Sequence, residues 1–171
     1  MLRGYRNGVR SAPTLRLVGG YNAAARARLA LAVALRESAD YARGLIGDVG
    51  AEHAPGELIR NVRRLRLLDL SGLDRAVLIE ALSGTSWEQI AEAMVMPVGE
   101  VRRKYEPVVT LWMQELPAGE VDATIYGDLT TGLRHDHDPE GTAVSLDAWY
   151  NRHMEPWEDE DTPVQRALSA H

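Results

Sequence analysis

LSGTSWEQIAEAMVMPVGEVRRKY, residues 82–105, holds the local signals of two short helices on either side of a tight turn. Ser86 is placed to cap the first helix while Gln89 reaches back to it, and Thr85 with Glu88 repeats that spacing one residue earlier. Trp87, Ile90, Ala91 and Met94 then share one helical face, with Glu88, Gln89 and Glu92 on the other. Ala91 supplies the small side chain that two steeply crossing helices need, and Met96 bridges the turn. Val101 and Tyr105 give the second helix a buried stripe, and Arg102, Arg103 and Lys104 project away from most of it.

Upstream, Leu73, Val77, Ala81 and Leu82 mark a supporting helix closed by Gly84, and Ser71-Gly72 reads as a break before it. Ahead of that break another helix starts after Pro55-Gly56, with Leu58, Val62, Leu65 and Leu68 at three- and four-residue intervals. Its other face carries Arg60, Arg63, Arg64 and Arg66. Residues 22–47 are rich in strong helix formers and contain no proline, which predicts one long helix capped by Asn22, with Gly44 and Gly47 as stops or weak points. Downstream, Pro107 and Pro117 bracket a last apolar helix over 108–116, because proline fits the first turn of a helix but not its interior. The expected fold is all-α: a helical bundle of five or six helices containing a helix-turn-helix, with an irregular acidic C-terminal extension. The expected boundaries are a flexible basic arm over 1–20, the helical domain over 21–116, and an extension over 117–171 with one short helix near residues 145–154.

A length of 171 residues suits one domain with extensions. There is no cysteine, which excludes disulfides, thiolate metal sites and cysteine nucleophiles and suits a reducing, cytoplasmic setting. The longest apolar run, residues 29–35, is far short of the ~20 residues that span a bilayer, so no membrane partner is expected. The net charge of -6 conceals a gradient: residues 1–70 carry +6, residues 71–116 carry -3 and residues 117–171 carry -9. Such a chain does not coat nucleic acid indiscriminately, so any DNA contact has to be local. Basic residues are almost all arginine, Lys104 being the only lysine, a bias expected of a GC-rich bacterial genome.

Residues 73–105 resemble the helix-turn-helix of region 4 of bacterial sigma factors and of sigma-like DNA-binding proteins of actinobacteria. The pattern Gly-x-Ser-Trp-x-x-Ile-Ala stands here as Gly84, Ser86, Trp87, Ile90 and Ala91. The acidic stretch DPEGTAVSLDAWYNRHMEPW, residues 138–157, is similar to tails of streptomycete proteins of this kind. The resemblance implies duplex DNA binding in transcriptional regulation, with Val98, Gly99, Arg102, Arg103 and Lys104 as the DNA-facing residues. Arg102 and Arg103 suit base edges or phosphates, and Lys104 suits a phosphate. The sequence departs from the pattern at three places. Val95 stands where the turn commonly has glycine, and a β-branched residue resists positive φ, so a rebuilt turn is expected. Pro97 stands where serine or threonine usually caps the reading helix. Val98 and Gly99 replace polar side chains that commonly reach bases. The segments that would complete a sigma factor are not present in this sequence.

Other constellations are weaker. Arg60, Arg63, Arg64 and Arg66 suit phosphate contacts or a solvated face, and Arg3, Arg6, Arg10 and Arg16 suit a minor-groove arm or a loose terminus. His135, Asp136, His137 and Asp138 alternate metal-ligating types but lack helical spacing and a distant ligand set, so no metal or other cofactor is expected. No nucleophile elbow, phosphate-binding glycine loop or dinucleotide fingerprint is present, which argues against an enzyme. Glu155, Glu158, Asp159, Glu160 and Asp161 suit either a tail that competes with DNA for the basic half or a solubilising extension, with Trp149 and Trp157 as anchors. The alternative to DNA binding is a protein-interaction module engaging RNA polymerase machinery or a second copy of the chain.

Overall fold

The structure is a computed structural model and describes residues 21–114, 138–154 and 161–169. Within them the chain is all-α, with six helices and no strands: α1 Ala23–Asp48, α2 Glu57–Leu82, α3 Trp87–Met94, α4 Val98–Gln114, α5 Pro139–Asn151 and α6 Pro163–Ser169. Four of the six lie in the expected helical domain, fewer than the five or six expected there, and two in the extension, where the sequence predicts one. The basic arm over 1–20 lies outside the described residues.

Helices α1 and α2, each 26 residues, form an antiparallel hairpin about 39 Å long. The Asn22 side chain caps α1 by accepting from the Ala25 amide at 2.8 Å, as its position predicts. Gly44 does not interrupt α1, which ends one residue past Gly47. Ser71-Gly72 is not a break either. Gly72 is buried, and a Cβ placed on it would lie 3.5 Å from Leu35 Cδ2, so its lack of a side chain admits a close approach of α1. The Ser71 carbonyl and hydroxyl both accept from the Arg75 guanidinium, which engages Ser71 without disturbing the helix.

Pro107 likewise lies inside α4 instead of starting a new helix. An interior proline removes one helical hydrogen bond and crowds the preceding turn. Burial outweighs that loss, since Val101, Tyr105, Val108 and Trp112, spaced four, three and four residues apart, form one stripe that is fully enclosed. They pack with Ala27, Ala30, Val77, Leu78, Ile90 and Ala91 into a core shared by the first four helices.

A second, smaller cluster joins Ala25 and Leu29 of α1 to Ala143, Leu146 and Leu168 of α5 and α6. Asp138 caps α5 through the Gly141 amide at 2.9 Å. The start of α6 is held by the buried Asp147 carboxylate, which accepts from the Val164 amide at 2.8 Å, the Gln165 amide at 3.0 Å and the Gln165 side chain at 2.9 Å. This long-range cap makes a seven-residue helix persist where local propensity gives little support. The extension is therefore partly a clasp on α1.

Candidate nucleic-acid interface

Two helix ends with the same bond pattern shape this region. At the end of α2 the Thr85 amide donates to the Glu80 carbonyl at 3.0 Å and the Gly84 amide to Ala81 at 3.2 Å, with Gly84 at φ 90°. At the end of α3 the Met96 amide donates to Ala91 at 3.1 Å and the Val95 amide to Glu92 at 3.1 Å, with Val95 at φ 53°. The turn is thus not rebuilt: valine adopts the left-handed conformation that glycine occupies with less strain. Val95 is 91% exposed and has no packing to lose. Val95→Gly is expected to stabilise the protein by about 1 kcal/mol, after the greater freedom of glycine in the unfolded chain is set against the relieved strain. A rise in the urea midpoint at constant m-value checks this.

Between these ends, the reciprocal cap of α3 is present. The Gln89 amide donates to Ser86 Oγ at 3.3 Å and the Ser86 amide to Gln89 Oε1 at 3.2 Å. Ile90 and Ala91 are buried while Glu88, Gln89 and Glu92 face solvent. Pro97 does the work of a capping residue with its backbone alone, its carbonyl accepting from Glu100 and Val101 amides at 3.0 and 3.2 Å.

The stripe that buries α4 leaves Val98, Gly99, Glu100, Arg102, Arg103 and Lys104 exposed. Their charges are arranged unequally. Arg102 is paired with Glu106 of the next turn at 2.9 Å. Arg103 has no ion pair or hydrogen bond among the described residues. Lys104 donates to Asp74 of α2 at 2.7 Å and to Tyr105 Oη at 2.9 Å, and Tyr105 Oη in turn donates to Asp74. This three-residue link between α4 and α2 has no counterpart in the sequence reading, because Asp74 carries no spacing signal toward a residue 30 positions away. Lys104 is consequently more a brace than a free cation.

Burial is the largest influence on Lys104 and favours the neutral amine, but the bonds to Asp74 and Tyr105 outweigh it and hold its pKa above the usual lysine value. For Tyr105, burial and then the bond to Asp74 raise the phenol above its usual value, against a smaller opposite effect of Lys104. Groups whose folded pKa is raised contribute stability below the unfolded pKa and lose it as pH climbs through the folded one. Stability is therefore expected to fall as pH rises past about 10. Tyr105→Phe, lacking the ionisable phenol, is expected to show a smaller fall in a urea-denaturation series across that range.

Arg60, Arg63, Arg64 and Arg66 do not join this group. All four are exposed. Taking Asp74 as the level of Lys104 on α2, Arg66 and Arg60 lie about 12 and 21 Å along the axis toward the far end of the hairpin. Arg64 is stacked over the Tyr41 ring at 5.2 Å. Of the alternating histidine segment, His135, Asp136 and His137 lie outside the described residues and Asp138 is engaged as the α5 cap. Among the described residues no group of three or more His, Asp or Glu side chains is placed to hold a metal ion. None of the described helices is long and apolar enough to cross a membrane.

Of the acidic tail, Glu155, Glu158, Asp159, Glu160 and Trp157 lie outside the described residues. Asp161 forms a two-bond pair with Arg166 at 2.9 and 3.0 Å, and the Trp149 indole donates to Asp40 of α1 at 2.9 Å. The described part of the tail thus faces α1. Compared with known protein families, with curated proteins and with solved structures, the chain matches none of them.

Proposed function

We propose that the chain docks on duplex DNA through the N-terminal half of α4, in a role in transcriptional regulation. The observation that carries this reading is the division of α4 into an enclosed stripe and an outward flank, on which Gly99, Arg102 and Arg103 are open to solvent directly after a tight turn from α3. A helix held outward in this way fits a major groove, where arginine donates two hydrogen bonds to a guanine edge. Arg103 is the leading base or phosphate contact, and Arg102 becomes available by releasing Glu106. Val98 and Gly99 contribute surface and close approach. The cationic strip is narrow, since Glu88, Glu92, Glu100 and Glu106 are also exposed nearby, so sequence-independent binding is expected to be weak.

Selection of bound sequences from a random duplex pool tests the proposal. Enrichment of a common site, with affinity that falls as salt rises, supports it. An unenriched pool, together with no binding at low salt, removes it. The second reading, a protein-interaction module engaging polymerase machinery or another copy, is favoured by the exposed apolar residues of the α1–α2 hairpin.

A further inference from the structure

The far half of the hairpin buries little. Leu45, Leu65 and Leu68 are half-buried there, Ser38 donates to Asp69 and Tyr41 to Asn61 at 3.4 Å, and the other large aliphatic side chains are open to solvent. Leu35 is 54% exposed, Ile46 74%, Val62 59% and Leu73 45%, with Leu58 and Ile59 exposed beside them. The sequence predicts Leu58, Val62, Leu65 and Leu68 as a buried stripe; Leu65 and Leu68 are half-buried, whereas Leu58 and Val62 stay exposed.

These residues form one surface. Leu35, Ala42 and Ile46, seven and four residues apart, lie along one flank of α1, and Val62, Asp69 and Leu73, again seven and four apart, along one flank of α2. Leu35 reaches Gly72 and Ser38 reaches Asp69, so the two flanks adjoin. Two antiparallel helices with coiled-coil spacing on a common face are half of a four-helix bundle.

We infer that this face pairs with the same face of a second copy of the chain, in a twofold dimer built on a four-helix bundle. Three features select a second copy as the occupant. The missing half has to be a two-helix layer of matching length and spacing, which another hairpin supplies by symmetry. The exposed aliphatic side chains amount to several hundred Å², approaching the ~800 Å² per partner of a standard stable interface. The face also carries one cation and one anion, Arg66 and Asp69, three residues apart, so a twofold axis passing between them sets Arg66 of each copy toward Asp69 of the other. The pairing does not depend on DNA binding.

Sedimentation equilibrium of the full chain from about 1 to 100 µM tests it. The expected result is a monomer–dimer equilibrium that Leu35→Asp and Val62→Asp each weaken by at least about tenfold, with unchanged far-ultraviolet circular dichroism. A second measurement uses the absence of native cysteine. Leu35→Cys is expected to give dimers with a short bifunctional maleimide, while Glu88→Cys on exposed α3 stays monomeric. A wild-type chain that remains monomeric over the whole range overturns the inference, whether the face is then covered by the chain's own remaining residues or by another protein. A dimer that survives both aspartate substitutions also overturns it.

Discussion

Trp112→Ala is expected to lower the unfolding free energy by about 3 to 5 kcal/mol, the cost of emptying a large aromatic site that cannot fully collapse. Trp112 is fully enclosed near the C-terminal end of α4 and ties that helix to α1, where the Arg26 guanidinium lies 5.7 Å from its ring and bonds its carbonyl at 3.4 Å. The loss is a large part of the total stability of an ordinary domain. The neighbouring Met113→Ala, at a site 47% exposed, is expected to change stability by less than about 0.5 kcal/mol. Thermal melts of the two variants check the contrast. Equal effects would mean that the α4 stripe is not the centre of the core.

Arg103→Ala is expected to weaken binding to a selected duplex by about 1 to 3 kcal/mol, roughly 5- to 150-fold, with no loss of stability because the side chain is exposed and unpaired among the described residues. Arg102→Ala is expected to cost less, because wild-type Arg102 first gives up its 2.9 Å pair with Glu106. The same pair makes the opposite test available. Glu106→Gln removes the competing carboxylate and is expected to tighten binding modestly. Titrations at one fixed salt concentration decide the matter, and unchanged affinity in both arginine variants would sink α4 as the reading element. Deleting the tail is a poorer probe of competition with DNA, since removal of α5 and α6 also exposes Ala25 and Leu29 of α1.

The bounds of α3, the start of α4 and the tight turn between them were legible because their signals are local. The Ser86 cap, the Gly84 stop and the Ile90, Ala91, Val101 and Tyr105 faces each depend on residues within a few positions, and all recur in the structure. The structure departs from the local signals where distant packing overrules a local preference. Gly72 resembles a break in sequence, yet the approach of Leu35 gives it a place inside α2. Pro107 resembles a helix start, yet Val108 and Trp112 extend the buried stripe through it. Val95 resembles an obstacle to the turn, and the bonds to Ala91 and Glu92 hold it there regardless. The Lys104 brace and the Asp147 cap were not legible, because each joins segments whose proximity only the tertiary fold creates. Leu58 and Val62 show the reverse case, members of a periodic stripe that stay exposed while Leu65 and Leu68 of the same stripe are half-buried.

The first turns of α1 are clad on two sides. Ala27 and Ala30 belong to the cluster around Trp112, and Ala25 and Leu29 to the cluster with Leu146 and Leu168. The methyl side chains of Ala25, Ala27 and Ala30 let both neighbours come close, so enlarging one of them to suit one side pushes the helix against the other. Loosening either neighbour strips α1 of half its lining. The two clusters are thus bound to melt together, as a single calorimetric peak with no earlier shoulder from the C-terminal helices.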